Sequence, residues 1–98
     1  MIKAHIRKAQ KSDAASILFL IRELAIFEKE PRAVIVTQAQ IEKDGFGDRP
    51  LFECFVAEVD DQVVGMALYY PRYSTWKGPT FHLEDLIVTE PMKGKGIG

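Results

Sequence analysis

The last eighteen residues, 81–98, read Phe-His-Leu-Glu-Asp-Leu-Ile-Val-Thr-Glu-Pro-Met-Lys-Gly-Lys-Gly-Ile-Gly, and no other stretch restricts the fold as tightly. An apolar run carries two adjacent acids, Glu84 and Asp85, halts at Pro91 and opens into alternating lysines and glycines. Glycine lets the main chain approach a ligand closely and adopt positive φ, so backbone N–H groups following a strand can converge on an anion. Residues 93–98 therefore read as a phosphate cradle. Such a cradle is completed by the free N–H groups and positive dipole end of a helix that follows it. None follows Gly98 in the sequence, and residues 1–98 read as the N-terminal portion of a single larger domain.

Composition narrows the partners. Thirteen basic and fourteen acidic residues give a formal charge of -1, which offers no bulk attraction to nucleic acid or to a membrane surface. Any charged ligand must be met locally. The single cysteine, Cys54, excludes an internal disulfide and fits a reducing compartment. It has no His or Cys neighbour at metal or nucleophile spacing, so it reads as a core residue and no metal is expected. No run of about seven apolar residues opens the chain, and none approaches the ~20 needed to span a bilayer. A cytoplasmic protein is expected.

Along the chain, Ile2, Ala4 and Ile6 alternate with Lys3, His5 and Arg7, the period of a half-buried strand with His5 facing solvent. Ser12 is a suitable N-cap. Ile17, Leu18, Ile21, Leu24 and Ala25 then recur at helical spacing, predicting a helix to about Glu28 before Pro31. Its last turn carries Glu28, although a helix C-terminus favours cations. Two readings stay open: a solvated helix end, or an acid kept to hold a cationic ligand. Thr37 and Gln40 match a capping box for a second helix ending at Asp44 and Gly45. Phe52, Cys54 and Val56 predict a second strand. Asp60, Asp61 and Gln62 make a turn into a third, from Val63 to Tyr70, where Gly65 marks a bulge or a close backbone approach. Residues 71–79, with Tyr73 and Trp76, read as a longer connection into the last strand. The order β-α-α-β-β-β is that of a mixed α/β (α+β) fold.

In an undistorted strand Glu84 and Asp85 point to opposite faces. With both faces covered, one acid would be buried at a cost of several kcal/mol unless it is paired or neutral. A β-bulge would turn both toward one cleft and free a backbone N–H. Alternatively, both acids lie wet on an edge strand.

At this point the sequence resembles a known family. Residues 88–98, Val-Thr-Glu-Pro-Met-Lys-Gly-Lys-Gly-Ile-Gly, are similar to the acetyl-coenzyme A signature of the GNAT acetyltransferases. Ile21-Arg22-Glu23-Leu24-Ala25 with Phe27-Glu28, Asp44-Gly45-Phe46-Gly47, Tyr69-Tyr70, Trp76 and Leu83-Glu84-Asp85 resemble, more narrowly, the diamine (spermidine/spermine) branch. The resemblance implies the N-terminal part of a GNAT fold that ends at the pyrophosphate loop. The implied co-substrate is acetyl-CoA. It implies pairing of the pantetheine arm with backbone groups of Leu86, Ile87 and Val88, and binding of the pyrophosphate by the N–H groups of Lys93, Gly94, Lys95, Gly96, Ile97 and Gly98. Phe27, Glu28 and Glu84 would line the amine site, with Asp85 and Trp76 adjoining. The implied reaction is direct attack of a neutral amine on the thioester, with the Leu86 N–H at the oxyanion. The resemblance also implies a general acid, a tyrosine from the second half of the domain and absent from these residues, and a homodimer for the full-length parent. Two positions depart from the pattern. Lys93 replaces the usual Arg or Gln, keeping a charge without the planar fork, and Ser74 stands where the animal polyamine enzymes carry an acid.

A competing reading is a non-catalytic fragment that uses exposed apolar surface and an open sheet edge to associate with itself or a partner. A nucleotide site fails on spacing: the terminal glycines lack the G-x-x-x-x-G-K-[ST] order and do not follow a first strand.

Overall fold

The computed structural model describes residues 3–93. β1 (His5–Lys8), α1 (Ala14–Phe27), α2 (Gln38–Phe46), β2 (Glu53–Val59), β3 (Gln62–Ser74) and β4 (Gly78–Val88) follow in that order. The four strands make one antiparallel sheet in sequential order. The mixed α/β architecture is thus the one the sequence predicts. Its core lies between the helices and one sheet face, where Ala14, Ile17, Leu18, Leu20 and Ile41 meet Cys54, Val56, Met66, Leu68 and Ile87. Ile17, Leu20 and Val56 are fully buried, each contributing roughly 1.5–3 kcal/mol of apolar transfer.

β1 reverses the predicted inside and outside. Ile6 is 58% exposed on the helix-free face, while Arg7, paired with Val56 on β2, points to the helix side. The reason is the ion cluster that Arg7 enters. Its guanidinium donates to both carboxylate oxygens of Asp13, at 2.8 and 2.9 Å, and to Glu58 at 3.2 Å. Asp13 is 6% exposed and also accepts from the Gln10 N–H at 2.7 Å. It holds a 3₁₀ turn (Lys11–Asp13) and stands at the N-cap position of α1, so the predicted cap at Ser12 is corrected: Ser12 is exposed, and the Asp13 carboxylate serves Arg7 and the Gln10 N–H instead of an α1 amide.

α1 ends as the sequence predicts, at Phe27 with Glu28 as C-cap. The closing turn is a Schellman motif without glycine. Lys29 takes a left-handed φ of 62°, its N–H donates to the Ile26 carbonyl at 3.0 Å, and the Glu30 N–H donates to the Ala25 carbonyl at 2.7 Å. Thr37 caps α2 by accepting from the Gln40 N–H at 3.1 Å. The reciprocal half of the expected capping box is absent, because the Gln40 amide is spent one turn onward on Asp44 at 2.9 Å. Gly45 is not the terminator. The helix runs through it to Phe46, and a Cβ on Gly45 would fall 2.2 Å from the Phe52 ring, so the glycine makes room for that ring.

Asp60 and Asp61, with φ of 51° and 64°, form a two-residue turn that joins β2 to β3. Ala57 pairs with Gly65 and Glu58 with Val63, leaving Val64 as an extra residue. Gly65 thus sits beside a bulge, and it also permits a close approach, since a Cβ there would lie 2.8 Å from the Ile87 carbonyl oxygen. Residues 71–79 are not a long connection. β3 continues to Ser74 and β4 begins at Gly78, so the two strands form a long hairpin closed by Thr75, Trp76 and Lys77. Ser74 fixes that turn by accepting from the Trp76 and Lys77 N–H groups at 3.2 and 3.1 Å, with Gly78 at a φ of 81°.

The Arg7 guanidinium holds the Asp13 carboxyl below its ordinary 3.8. A depressed carboxylate stabilises the fold above the unfolded pKa and loses that contribution as pH falls through the folded one. Asp13→Asn should therefore cost about 2 kcal/mol at neutral pH, with the difference from wild type vanishing well below pH ~4. Urea unfolding of both proteins across that range checks it.

Candidate active site

Two elements bring acids together. The Schellman turn places Phe27 and Glu28 at the end of α1. In β4, Tyr69 pairs with Leu83 and Leu68 with Asp85, so Glu84 is an extra residue in the ladder. A bulge of this kind lets consecutive side chains lean to one side instead of alternating. Leu68 belongs to the core, and its partner Asp85 faces the helices with Ile87 two residues on. Glu84 is exposed and Asp85 half-buried. Burial pushes the Asp85 carboxyl up, and the charges of Glu84 and then Glu28 push it further. The charges of Glu28 and Glu84 thus both act on the Asp85 carboxyl, and β4 has the bulge that the adjacent acids suggest. The wet-edge alternative fails for Asp85.

Beside the acids, a cleft of about 230 Å³ runs between the last turns of α1 and the end of β4. Glu23 and Phe27 form its helix wall, Ile87 and Val88 its strand wall, and Glu90 and Lys93 close one end. A hollow of about 80 Å³ on the helix-free face is lined by apolar side chains, Phe55, Ala57 and Leu86 among them, so any polar contact there must come from the main chain. β4 is the last strand, so its outer edge has no ladder partner among the described residues. On that edge, alternation back from Thr89, whose N–H donates to Val64, leaves the backbone groups of Leu86 and Val88 facing outward, where an extended ligand could pair with them, while those of Ile87 face β3.

After β4 the chain makes a 3₁₀ turn (Glu90–Met92) and leaves it extended at Lys93. The Lys93 ammonium lies 3.0 Å from Glu90 and 4.5 Å from the centroid of the Phe27 ring. A residue expected at the pyrophosphate thus touches one expected at the amine. Gly94, Lys95, Gly96, Ile97 and Gly98 lie outside the described residues. Trp76 stands apart from the acids. It is 94% exposed at the hairpin tip, and the Ser74–Gly78 rung is five rungs from the Tyr69–Leu83 rung at the bulge, roughly 17 Å of strand. Cys54, pushed up to about 12 chiefly by burial, is a protonated core thiol.

Sequence reading gave Glu23 no role. Its carboxylate accepts from the Thr89 hydroxyl and from the Glu90 N–H, both at 2.7 Å, and ties α1 to the turn after β4. The available signal was its position four residues before Phe27, on the same helix face.

Residues 13–98 match the acetyltransferase (GNAT) family, and the chain belongs to that family. Among its relatives is the human spermidine/spermine N(1)-acetyltransferase-like protein 1, 46% identical over 100 residues that cover 95% of this chain and 14% of that protein. Mouse thialysine N-epsilon-acetyltransferase is 42% identical over 106 residues, covering 100% of this chain and 62% of that one. An aminoglycoside acetyltransferase from an uncultured soil metagenomic sample, solved in complex with sisomicin, shares the fold. The TM-score is 0.72 at 22% identity, over 97% of this chain and 62% of that one. The chain spans less than two thirds of the length of each of these relatives.

The raised Asp85 carboxyl supplies a direct test. Glu84→Gln should lower the Asp85 pKa without restoring its ordinary value, because burial is the larger cause. Asp85→Asn should stabilise the fold at neutral pH and lose that advantage below pH ~4, since an acid with a raised folded pKa penalises folding only where it is ionised. Carboxyl-carbon NMR titration and chemical unfolding read the two effects.

Proposed function

We propose that the parent protein transfers the acetyl group of acetyl-CoA to a primary amine of a small cation: a diamine, a polyamine or a related small amine. The observation that carries this reading is the convergence of the Glu84 and Glu28 charges on the Asp85 carboxyl beside the free edge of β4. Like charges held together are unfavourable until a cation arrives, so an amine with more than one ammonium gains most from entering. Membership of the acetyltransferase family supports the acetyl donor. The acceptor class is supported by the mouse relative, a thialysine N-epsilon-acetyltransferase, and by the likeness to the human spermidine/spermine N(1)-acetyltransferase-like protein 1.

Bound acetyl-CoA would supply an acetyl thioester. The Thr89 N–H donates to the Val64 carbonyl at 2.8 Å. Ladder alternation back from Thr89 turns the Ile87 N–H inward and the Leu86 and Val88 N–H groups toward the free edge. These groups would receive the pantetheine arm, and the Leu86 N–H would donate to the carbonyl oxygen as it gains negative charge. Loss of one such donor costs about 3–4 kcal/mol in other enzymes. The acceptor amine must shed a proton to attack. Asp85, raised by burial and two neighbours, is the carboxylate suited to take it, while Glu28 and Glu84 balance the remaining ammonium charge. As the tetrahedral carbon collapses its C–S bond breaks, and CoA leaves as a thiolate that would take its proton from the acid the family carries in the second half of the domain. Phe27 presents an aromatic face that already carries a cation, the Lys93 ammonium. Lys93, Gly94, Lys95, Gly96, Ile97 and Gly98 would hold the pyrophosphate.

A second reading, a non-catalytic associating module, is favoured by one feature. Ile6, Phe55, Phe81, Leu83 and Leu86 are all exposed, on a sheet face that carries no helix among the described residues. Acetyl-CoA binding by a monomer excludes it; concentration-dependent association without CoA binding supports it.

The full-length protein assayed with acetyl-CoA should acetylate spermidine, thialysine or a short diamine, and failure on all three overturns the proposal. Glu84→Gln should raise the amine KM about tenfold, the loss of roughly 1.4 kcal/mol of ion pairing, while leaving the acetyl-CoA Kd within about twofold. Equal losses of both affinities would make Glu84 structural.

A further inference from the structure

We propose that Glu23 is a positioning residue that sets the direction in which the chain leaves β4 toward the lysine–glycine segment, and thereby sets acetyl-CoA affinity. The inference rests on the acetyltransferase reading above and adds to it a residue that acts through the turn after β4.

Glu23 lies one helical turn before Phe27, in the cleft between α1 and β4. Its two carboxylate oxygens are used separately: Oε1 accepts from the Thr89 hydroxyl and Oε2 from the Glu90 N–H, each at 2.7 Å. Such short bonds to an ionised acceptor are about twice as strong as neutral ones. They grip two consecutive residues where the strand gives way to the turn. Thr89 is restrained on further sides, because its N–H donates to the Val64 carbonyl at 2.8 Å and its own carbonyl accepts from the Met92 N–H at 2.9 Å. Pro91 has no N–H, so the Glu90 N–H is the donor at the head of this turn, and Glu23 takes it. The turn then delivers Lys93 in an extended conformation with its ammonium over Phe27. Phe27 and the cation stacked on it are therefore tied through Glu23 to one helix, and the exit path from β4 is referred to the same helix that carries the amine-site acid Glu28.

A carboxylate suits this task because both partners donate. An amide in its place keeps one acceptor for the Glu90 N–H, and the Thr89 hydroxyl can rotate to accept from the amide NH₂. Alanine keeps neither bond. That difference separates positioning from general bracing.

The test uses the full-length protein, with acetyl-CoA affinity measured by calorimetry and steady-state kinetics for the amine. Glu23→Ala should raise the acetyl-CoA Kd about tenfold or more, with kcat at saturating acetyl-CoA and the amine KM within about threefold of wild type. Glu23→Gln should restore affinity to within about threefold. Thr89→Val should weaken binding by a smaller factor, and adding it to Glu23→Ala should cause no further loss toward the hydroxyl contact. If Glu23→Ala does not fold, Glu23→Gln and Thr89→Val carry the comparison by the same readout. Wild-type binding that is unchanged in Glu23→Ala, or in Thr89→Val where Glu23→Ala is unfolded, overturns the positioning role alone. A wild-type protein that binds no acetyl-CoA overturns the acetyltransferase reading and this role with it.

Discussion

Everything distinctive about this fold depends on how α1 lies across one face of the sheet. Ile17 and Leu20, both fully buried, share one core with Val56, Met66, Leu68 and Ile87. Because β3 and β4 supply three of those four strand residues, the helix end is set beside β4 and not elsewhere. The apolar docking is non-directional, so it leaves the final alignment to polar contacts at both ends of the helix. At the start, Asp13 joins the helix to β1 through Arg7; at the end, Glu23 joins it to the turn after β4. The carboxylates then meet across a helix and a strand that have been aligned separately.

The sheet's two faces differ in kind. One is closed by helices and carries the buried residues. The other bears an aromatic row in which Phe55 stacks on Tyr69 at 6.1 Å and Tyr69 meets Phe81 edge-on at 5.5 Å. That row explains how a face without a helix keeps order: large side chains cover one another across the strands, each such pair being worth about 0.5–1.5 kcal/mol beyond its buried area. Ile6 lies on this same face because Arg7, its neighbour, is drawn to the other by Asp13 and Glu58.

Much of this was legible in the sequence wherever one periodicity dominated. The α1 stripe, the Thr37 cap, the Asp60–Asp61 turn and the glycine beside a bulge each follow from local chemistry. The paired acids were legible for a different reason: two adjacent carboxylates in an apolar strand violate alternation, and a bulge is the economical remedy. Local signals failed where a distant partner decided. Arg7 turns inward because of Asp13 and Glu58, Gly45 is kept for the Phe52 ring, and residues 71–74 and 78–79 pair as strands although their prolines and polar residues advertise a loop. Pro71 and Pro79 sit in the long hairpin arm beyond the helices, where the lost N–H donors are tolerated more readily than in a central strand. Glu23 was invisible because its partners, Thr89 and Glu90, are sixty-six and sixty-seven residues away.

The irregularity in β4 has an evolutionary corollary. Since Glu84 has no rung of its own, removing that single codon would leave Leu83 opposite Tyr69 and Asp85 opposite Leu68, with both flanks of the hairpin in unchanged register. Losing a residue from a regularly paired stretch, such as Leu86, would instead turn the residues beyond the gap to the opposite face unless the bulge closed to absorb the shift. The second acid is thus a supernumerary residue, grafted into a strand that already works as a strand. A lineage can acquire or discard it in one step, and with it a unit of negative charge, while the rest of the molecule stays where it was.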